Sequence, residues 1–535
     1  MNKAFALALV SLFLVCATLA QSPQSCEKLA QLSLTNAKVT SAQSVAAGAF
    51  TPPPPASPRP PSPQRDAFFK SLPAFCRVAI ASTPSADSDI KIEVWLPTSG
   101  WNGRLQAYGN GGFAGAIEYG GLGEAMSHGY ASVSTDTGHA AEGTDASWAP
   151  GHPEKKADFG YRAIHEMTVA GKAVVNAFYG SAPKHSYFAG CSNGGRQALM
   201  EAQRYPADYD GILAGAPANF WTHLLTGAVW NAQATTSDPN SYIPPSKLPA
   251  IAHAVVQACD ARDGVSDGIL NDPRKCNFNL ATIQCNGADS DSCLTASQVV
   301  AMKKLYEGAH DSQGHQIFPG FLPGAEEGGG GWGLWITGPE PGKSLLFAFG
   351  KGYFANFLYE KPDWEFKGAK IDQLVADADK KSAPIFNATD PNLKLFTSRG
   401  GKLILYHGWN DAGISALNSV NYYNNVVKAL GEQAAWASIR LYMEPGVQHC
   451  AGGVGPDNFG QFGDPATNDP HSNGRLALEQ WVEKGAAPTD IIAGKYEEGS
   501  KTPKMTRPLC PYPQAAKYKG TGDTNDAANF TCAEP

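Results

Sequence analysis

A chain of 535 residues exceeds the size at which a single hydrophobic core stops growing, so two domains, or one large domain carrying an insertion, are expected. The formal net charge of −7 and the pI near 6.0 come from dispersed charges of both signs without a basic block. That pattern argues against nucleic acid or an anionic membrane as a partner.

In residues 1–20, Lys3 precedes an apolar run from Ala4 to Ala17, and Thr18, Leu19 and Ala20 follow before Gln21. This is the pattern of a secretory signal peptide, too short to be a membrane span. No other stretch is apolar for long enough to cross a bilayer, so a soluble, secreted (extracellular or periplasmic) protein is expected. Cleavage removes Cys16 and leaves ten of the 11 cysteines, an even number in a chain routed to an oxidising compartment. Connectivity is not fixed by sequence. Proximity along the chain suggests Cys26 with Cys76, Cys259 with Cys276, Cys285 with Cys293 and Cys510 with Cys532, which leaves Cys191 and Cys450 for each other.

Residues 26–50 are weakly patterned, and residues 51–63 are proline-rich and read as an extended, solvated loop. Regular structure begins at Ile90. Residues 90–96 alternate like a half-buried strand, residues 104–108 and 130–135 read as further strands, and residues 163–179 carry apolar side chains at helical spacing. Next, the apolar run Tyr187-Phe188-Ala189 leads into Gly190-Cys191-Ser192-Asn193-Gly194, followed by a helical segment from Gly195 to Ala202. Gly-x-Ser-x-Gly between a strand and a helix is the context of a nucleophile elbow, which makes Ser192 the candidate nucleophile. Residues 211–216 form a short apolar run of the kind buried in a parallel sheet.

Alternating strands and helices predict an α/β sheet with helices on both faces. The alternation breaks at about residue 219 and resumes near residue 398, with strands at 402–407 and 439–443 and an amphipathic helix at 473–484. The expected architecture is an α/β-hydrolase catalytic domain built from residues 21–218 and 398–535. Residues 219–397 are a lid domain inserted between core strands, over the edge where the strands' carboxyl ends form the site.

In such a core the triad follows in the order serine, acid, histidine, with acid and base on loops after later strands. Asp411 lies just past the strand at 402–407, and His449 just past the next one. Cys191 neighbours Ser192 and Cys450 neighbours His449. A disulfide between them needs Cα atoms within roughly 7 Å, which would bring nucleophile and base together. The backbone N–H of Asn193, directly after the nucleophile, is one candidate oxyanion donor. The second is expected from the glycine-rich loop Tyr108-Gly109-Asn110-Gly111-Gly112-Phe113, with Gly112 preferred and Gly111 as the alternative. No Gly-Lys-Ser/Thr follows that loop, so a phosphate-cradling role is disfavoured. Within the insertion, Asp260, Asp263 and Asp267 are interleaved with glycines. With the carbonyls of Val265 and Ile269 they suit a hard cation, read as a structural Ca2+ in a loop braced by Cys259 and Cys276.

Several stretches resemble the tannase and feruloyl esterase family: Cys191-Ser192-Asn193-Gly194-Gly195-Arg196-Gln197, Tyr406-His407-Gly408-Trp409-Asn410-Asp411, Gly446-Val447-Gln448-His449-Cys450 and Arg507-Pro508-Leu509-Cys510-Pro511-Tyr512. The resemblance implies an α/β-hydrolase core with a lid, a disulfide joining the neighbours of serine and histidine, and a calcium ion in the lid. It carries the triad roles to Ser192, Asp411 and His449, and the calcium roles to Asp260, Asp263, Val265, Asp267 and Ile269. It also implies a small aromatic-acid ester as substrate: a ferulate, a gallate or, in one branch, a terephthalate monoester. The terephthalate branch holds its free carboxylate with a lid arginine, and no arginine lies between Arg274 and Arg399, where Lys351 could substitute only as a less directional point charge. Phenolic esters are therefore expected ahead of terephthalate. Ile414 and the lid residues Trp332, Trp335, Phe349 and Tyr353 are the candidates for holding an aromatic acyl group. Readings of other kinds are a secreted binding protein that has lost catalysis, which should lack a triad member, and a peptidase, which should have a more open lid. No pattern in the sequence specifies an oligomeric state.

Overall fold

The structure, a computed structural model, describes residues 25–54, 62–113, 115–462 and 467–534. The signal-peptide expectation for residues 1–20 and most of the proline-rich loop fall outside the described residues. Ten strands form one mixed sheet: β1 (Ser33–Leu34), β2 (Ala37–Val45), β3 (Phe75–Ser82), β4 (Ile90–Pro97), β5 (Arg104–Tyr108), β6 (Ala131–Thr135), β7 (His185–Cys191), β8 (Gly211–Gly215), β9 (Lys402–Gly408) and β10 (Ile439–Glu444). Their spatial order is β1-β2-β3-β4-β6-β5-β7-β8-β9-β10. Neighbours are antiparallel as far as the β4–β6 pair and parallel from β6 onward. The helices that matter for the site are α1 (Ala163–Tyr179), α2 (Asn193–Arg204), α3 (Trp221–Thr236), α4 (Leu345–Gly352) and α5 (Gly474–Lys484).

Side-chain alternation on the central strands sorts the core into two layers. Phe188, Ile212, Leu403 and Leu405 face one way, onto Val174 and Met167 of α1 and Leu199 of α2. Tyr187, Leu213, Ile404 and Tyr406 face the other way, onto Leu478 and Trp481 of α5. Because both faces are covered, β8 is buried along its whole length and its run Gly-Ile-Leu-Ala-Gly has no polar face. Burying each large aliphatic side chain of this kind contributes about 1.5–3 kcal/mol. The chain leaves α1 through Gly180 at φ +71°, a left-handed cap that glycine adopts without steric cost.

Residues 219–397 lie between β8 and β9, which are adjacent in the sheet, and add no strand to it. They are largely helical and carry apolar clusters of their own. One gathers Trp221, Leu225, Phe357 and Phe386 with Phe113, and a second gathers Ile251, Met302, Trp332 and Leu346. The five disulfides join Cys26–Cys76, Cys191–Cys450, Cys259–Cys276, Cys285–Cys293 and Cys510–Cys532, the pairs that the spacing suggested.

Regular structure starts earlier than the expected Ile90, with the largely buried strand β3 at Phe75–Ser82, and the N-terminal arm also differs from expectation. Residues 26–50, which lack a clear pattern in the sequence, hold a short 3-10 turn (Cys26–Gln31) and the edge strands β1 and β2. Of β2 only Val39 is buried, so an apolar period of two cannot show in its sequence. Backbone pairing to β3 and the Cys26–Cys76 disulfide hold this arm in place.

Candidate active site

The carboxyl ends of β5, β7, β9 and β10 point to one edge of the sheet, and each feeds a loop that carries a candidate residue. Ser192 sits between β7 and α2 with φ +63° and ψ −122°, a backbone conformation that costs a non-glycine residue free energy and is held by its surroundings. Its N–H donates to Gly215 O at 3.0 Å, and its carbonyl accepts from Arg196 N and Ala218 N, each at 3.0 Å. The flanking glycines permit this turn. A Cβ on Gly190 would lie 2.6 Å from the Gly194 carbonyl, and one on Gly195 would lie 2.3 Å from Gly215 O.

Asp411 follows β9 and its carboxylate is fully buried. Oδ1 accepts from the N–H groups of Gly413 at 2.7 Å and Ile414 at 2.8 Å. Oδ2 accepts from His449 Nδ1 at 2.7 Å and from His407 Nε2 at 3.0 Å. Burial opposes ionisation here, but the charge of His449 and the hydrogen bonds from both imidazoles outweigh it and hold the carboxyl below its ordinary range. A carboxylate can only accept, so His449 carries its proton on Nδ1 and turns Nε2 outward as an acceptor. The ring stands edge-on to Trp335, with centroids 4.7 Å apart.

Ser192 and His449 line the same cavity. The disulfide between Cys191 and Cys450, with Cα atoms 6.0 Å apart, links their chain neighbours across 259 residues. Gly112 and Asn193 also line the cavity. The Asn193 N–H is the first of α2 and has no acceptor within the helix, and the helix dipole favours negative charge at this end. Gly112 has φ +60°, and a Cβ there would lie 2.4 Å from Gly143 O. The wall comprises Phe113, Trp221, Leu224, Leu225, Trp335 and Phe349, with Leu346 and Ile414 beside them, and among the described residues no charged side chain lines it other than His449 when protonated. An acceptor imidazole, a serine on a strained elbow and two N–H candidates beside an apolar cavity can support acyl transfer.

Of the expected acyl-holding residues, Trp335, Phe349 and Ile414 line the cavity, whereas Trp332, Tyr353 and Lys351 do not. Trp332 and Tyr353 are completely buried in the insertion's own clusters, and the Tyr353 hydroxyl bonds Ser382. Lys351 Nζ lies 2.5 Å from Glu365 Oε1. The aromatic content that singled these residues out does not say which of them meets the site. Trp221, Leu224 and Leu225 went unnoticed, although their i, i+3, i+4 spacing on one segment marks a common face. His407 also went unnoticed as a partner of Asp411. It lies within an apolar strand, is fully buried, and its Nδ1 is 2.7 Å from Ser419 Oγ.

A roomier concavity than the Ser192 cavity lies between residues 259–276 and the C-terminal tail, and among the described residues it holds no nucleophile and base together. The acidic loop lies beside it. Asp260 Oδ1 accepts from Gly268 N at 3.0 Å, Asp263 from Val265 N at 3.0 Å and Asn271 N at 3.1 Å, and Asp267 from Ile269 N at 3.1 Å and Arg507 at 2.7 Å. Burial, and then the nearby Asp267 and Asp260, push the Asp263 carboxyl up. Asp263, whose ionisation is made costlier by Asp267 and Asp260, and its neighbouring carboxylates and backbone carbonyls are oxygen donors of the kind a hard cation takes, and Arg507 meets Asp267. The loop rests on the tail through Val265, Cys510, Ala516 and Phe530.

Residues 76–533 match the family described as tannase and feruloyl esterase. An uncharacterized esterase of Xanthomonas campestris is 39% identical over 548 residues, covering 97% of this chain and 92% of that protein. The mono(2-hydroxyethyl) terephthalate hydrolase of Piscinibacter sakaiensis is 34% identical over 432 residues, covering 72% and 69% respectively. Among solved structures, feruloyl esterase B from Aspergillus oryzae superposes with a TM-score of 0.86 at 30% identity, covering 95% of this chain and 99% of that one.

Proposed function

Because this chain belongs to the tannase and feruloyl esterase family and is therefore a carboxylic ester hydrolase, we propose that it cleaves esters of neutral aromatic acids through an acyl-enzyme on Ser192. His449 Nε2 takes the hydroxyl proton as Ser192 Oγ attacks the ester carbonyl, and Asp411 holds the imidazole in the required tautomer and supports its charge. The N–H groups of Asn193 and Gly112 receive the oxyanion. The proton passes from His449 to the leaving alkoxide. Water, deprotonated in turn by His449, then releases the aromatic acid and restores Ser192.

The observation that carries this reading is that Ser192 and His449 share an apolar, aromatic-walled cavity while His449 Nδ1 lies 2.7 Å from the buried Asp411 carboxylate. The same wall ranks substrates. Lys351 is engaged by Glu365, and among the described residues no cation lines the cavity to receive a free carboxylate, so a ferulate-type acyl group fits better than terephthalate. Residues 219–397 act as the lid, supplying Trp221, Leu224, Leu225, Trp335, Leu346 and Phe349 to the wall. Residues 1–20 direct secretion, in keeping with five disulfides. Asp260, Asp263 and Asp267 with the carbonyls of Val265 and Ile269 hold a structural calcium ion, which supplies charge neutralisation and braces the loop against the tail.

Comparing wild type and Ser192→Ala on methyl ferulate, methyl gallate and mono(2-hydroxyethyl) terephthalate tests the assignment. The expected result is complete loss in a folded variant and, in wild type, a higher kcat/KM for methyl ferulate than for the terephthalate ester. Turnover retained by Ser192→Ala sinks the mechanism.

A further inference from the structure

Beneath the proposed oxyanion donors lies a hydrogen-bonded group that the triad chemistry does not use. Arg196, one turn into α2, is completely buried. Its Nε donates to Asn193 Oδ1 at 2.8 Å, Nη1 to Gly160 O at 2.6 Å and Phe386 O at 3.3 Å, and Nη2 to Phe159 O at 3.0 Å. Every recorded acceptor is neutral, and among the described residues no carboxylate pairs with this guanidinium. Its faces lie by aromatic rings, 5.2 Å from the Phe159 centroid and 5.0 Å from that of Trp221, which lines the cavity. Burial lowers the group to about 9, which leaves it charged at neutral pH. Burying an arginine without an anionic partner is costly, and this one is compensated only by carbonyl dipoles and ring faces.

From Arg196 the bonds continue across the site. Asn193 Nδ2 donates to Asn110 O and Oδ1, each at 3.3 Å. Gln197 closes the ring, donating from Nε2 to Asn110 Oδ1 at 2.9 Å and accepting from Asn110 N at 3.0 Å. All four side chains are buried. Asn193 supplies one proposed oxyanion donor from its backbone, and Asn110 lies two residues before the other, Gly112. The two donors come from separate loops, and these bonds link those loops directly. The fit is close, since a Cβ on Gly109 would lie 2.5 Å from Gln197 Oε1.

We infer that Arg196, Asn193, Asn110 and Gln197 form a positioning device that fixes the separation of the two oxyanion donors, with the Arg196 cation adding a permanent positive field behind them. The inference rests on the serine-esterase reading. Only a planar fork can serve carbonyls in three directions and an amide oxygen at once, so lysine does not replace this arginine. Displacing oxyanion donors by a fraction of their contact distance weakens transition-state binding while leaving substrate binding nearly intact.

The test uses Arg196→Lys, which keeps the charge but not the fork, and Asn110→Ala, which removes the two bonds that Asn193 Nδ2 and Gln197 Nε2 make to Asn110 Oδ1 without touching the charge. Each is assayed for kcat and KM on methyl ferulate, for inhibition by phenylboronic acid, and for binding of ferulic acid. The boronic acid forms a B–O bond to Ser192 Oγ as the hydroxyl proton passes to His449, giving a tetrahedral anion that needs the oxyanion donors. The expected result in both variants is a fall in kcat of about 10²-fold, KM within about threefold, and a rise in the boronate inhibition constant comparable to the loss of kcat, with ferulic acid binding unchanged. Asn110→Ala leaves no buried charge unsatisfied, so it remains informative if Arg196→Lys fails to fold. A folded Asn110→Ala enzyme with kcat within about threefold of wild type overturns the inference, as does equal weakening of boronate and ferulic acid. Activity in Ser192→Ala would instead count against the serine reading itself.

Discussion

Asp411→Asn exchanges one acceptor for a donor at a point where the structure leaves no freedom. Oδ1 receives two backbone N–H groups, from Gly413 at 2.7 Å and Ile414 at 2.8 Å, so the amide oxygen must remain there. The NH₂ then falls where Oδ2 meets His449 Nδ1 at 2.7 Å and His407 Nε2 at 3.0 Å. Two N–H groups would face two more. His407 keeps an alternative acceptor in Ile414 O at 3.0 Å. His449 escapes only by moving its proton to Nε2, the atom that must accept the proton of Ser192. A wrong tautomer in a triad of this kind costs about 10⁴-fold in kcat, or about 5.4 kcal/mol at 1.36 kcal/mol per decade. Asp411 does not line the cavity, so KM should move by less than about threefold. Steady-state kinetics on methyl ferulate near pH 7 measure both constants. A folded variant that keeps kcat within about tenfold of wild type, or that loses kcat/KM through KM alone, refutes the reasoning.

The same carboxylate makes stability depend on pH. An unfolded aspartate titrates near about 4, and Asp411 in the fold lies lower, so its contribution is complete above about pH 4 and is lost as pH falls through the folded value. The Tm difference between wild type and Asp411→Asn should accordingly shrink in acid, and a gap that widens there contradicts the assignment. Phe349 stands edge-on to Phe113 with centroids 5.0 Å apart and stacks toward Trp335 at 6.4 Å, so Phe349→Ala should lower kcat/KM for a cinnamoyl ester by roughly tenfold, with little effect on a short aliphatic ester. Equal losses on both esters would remove Phe349 from the acyl wall. Chelation should lower Tm, by the equivalent of about 4 kcal/mol where free calcium is 1,000 times its Kd, and Asp263→Asn should abolish that dependence. An unchanged Tm in a chelator removes the calcium proposal.

Much of the site was legible because its residues sit at the ends of elements with strong local signals. The elbow announces itself through glycines that permit close contact, and Asp411 and His449 follow apolar runs that were read as strands and are strands. The strand at 104–108 and the helix at 163–179 match the observed bounds, since both bury a continuous face. Edge strand β2 was not legible, because pairing through its backbone leaves only Val39 buried. His407 was missed for the opposite reason. Set in an apolar strand, it has the sequence context of a core residue whatever its side chain touches.

The sequence by itself determined the α/β alternation and the chain order of the candidate serine, acid and histidine, because each depends on chain order or on spacing along a single element, whereas proximity along the chain suggested the cysteine pairs without fixing them. Tertiary structure alone decided which aromatic residues meet the cavity. Trp335 and Phe349 reach it while Trp332 and Tyr353 fill the insertion's core, although all four belong to one aromatic-rich stretch. It also brought Asn110 against Gln197 across 87 residues and set Arg196 among carbonyls from two distant segments. Local periodicity reports that a side chain is apolar or that a helix has a buried face. Which surface that face meets is settled only when separate segments pack, and the proposed acyl wall and the support behind the proposed oxyanion donors are both made at such junctions.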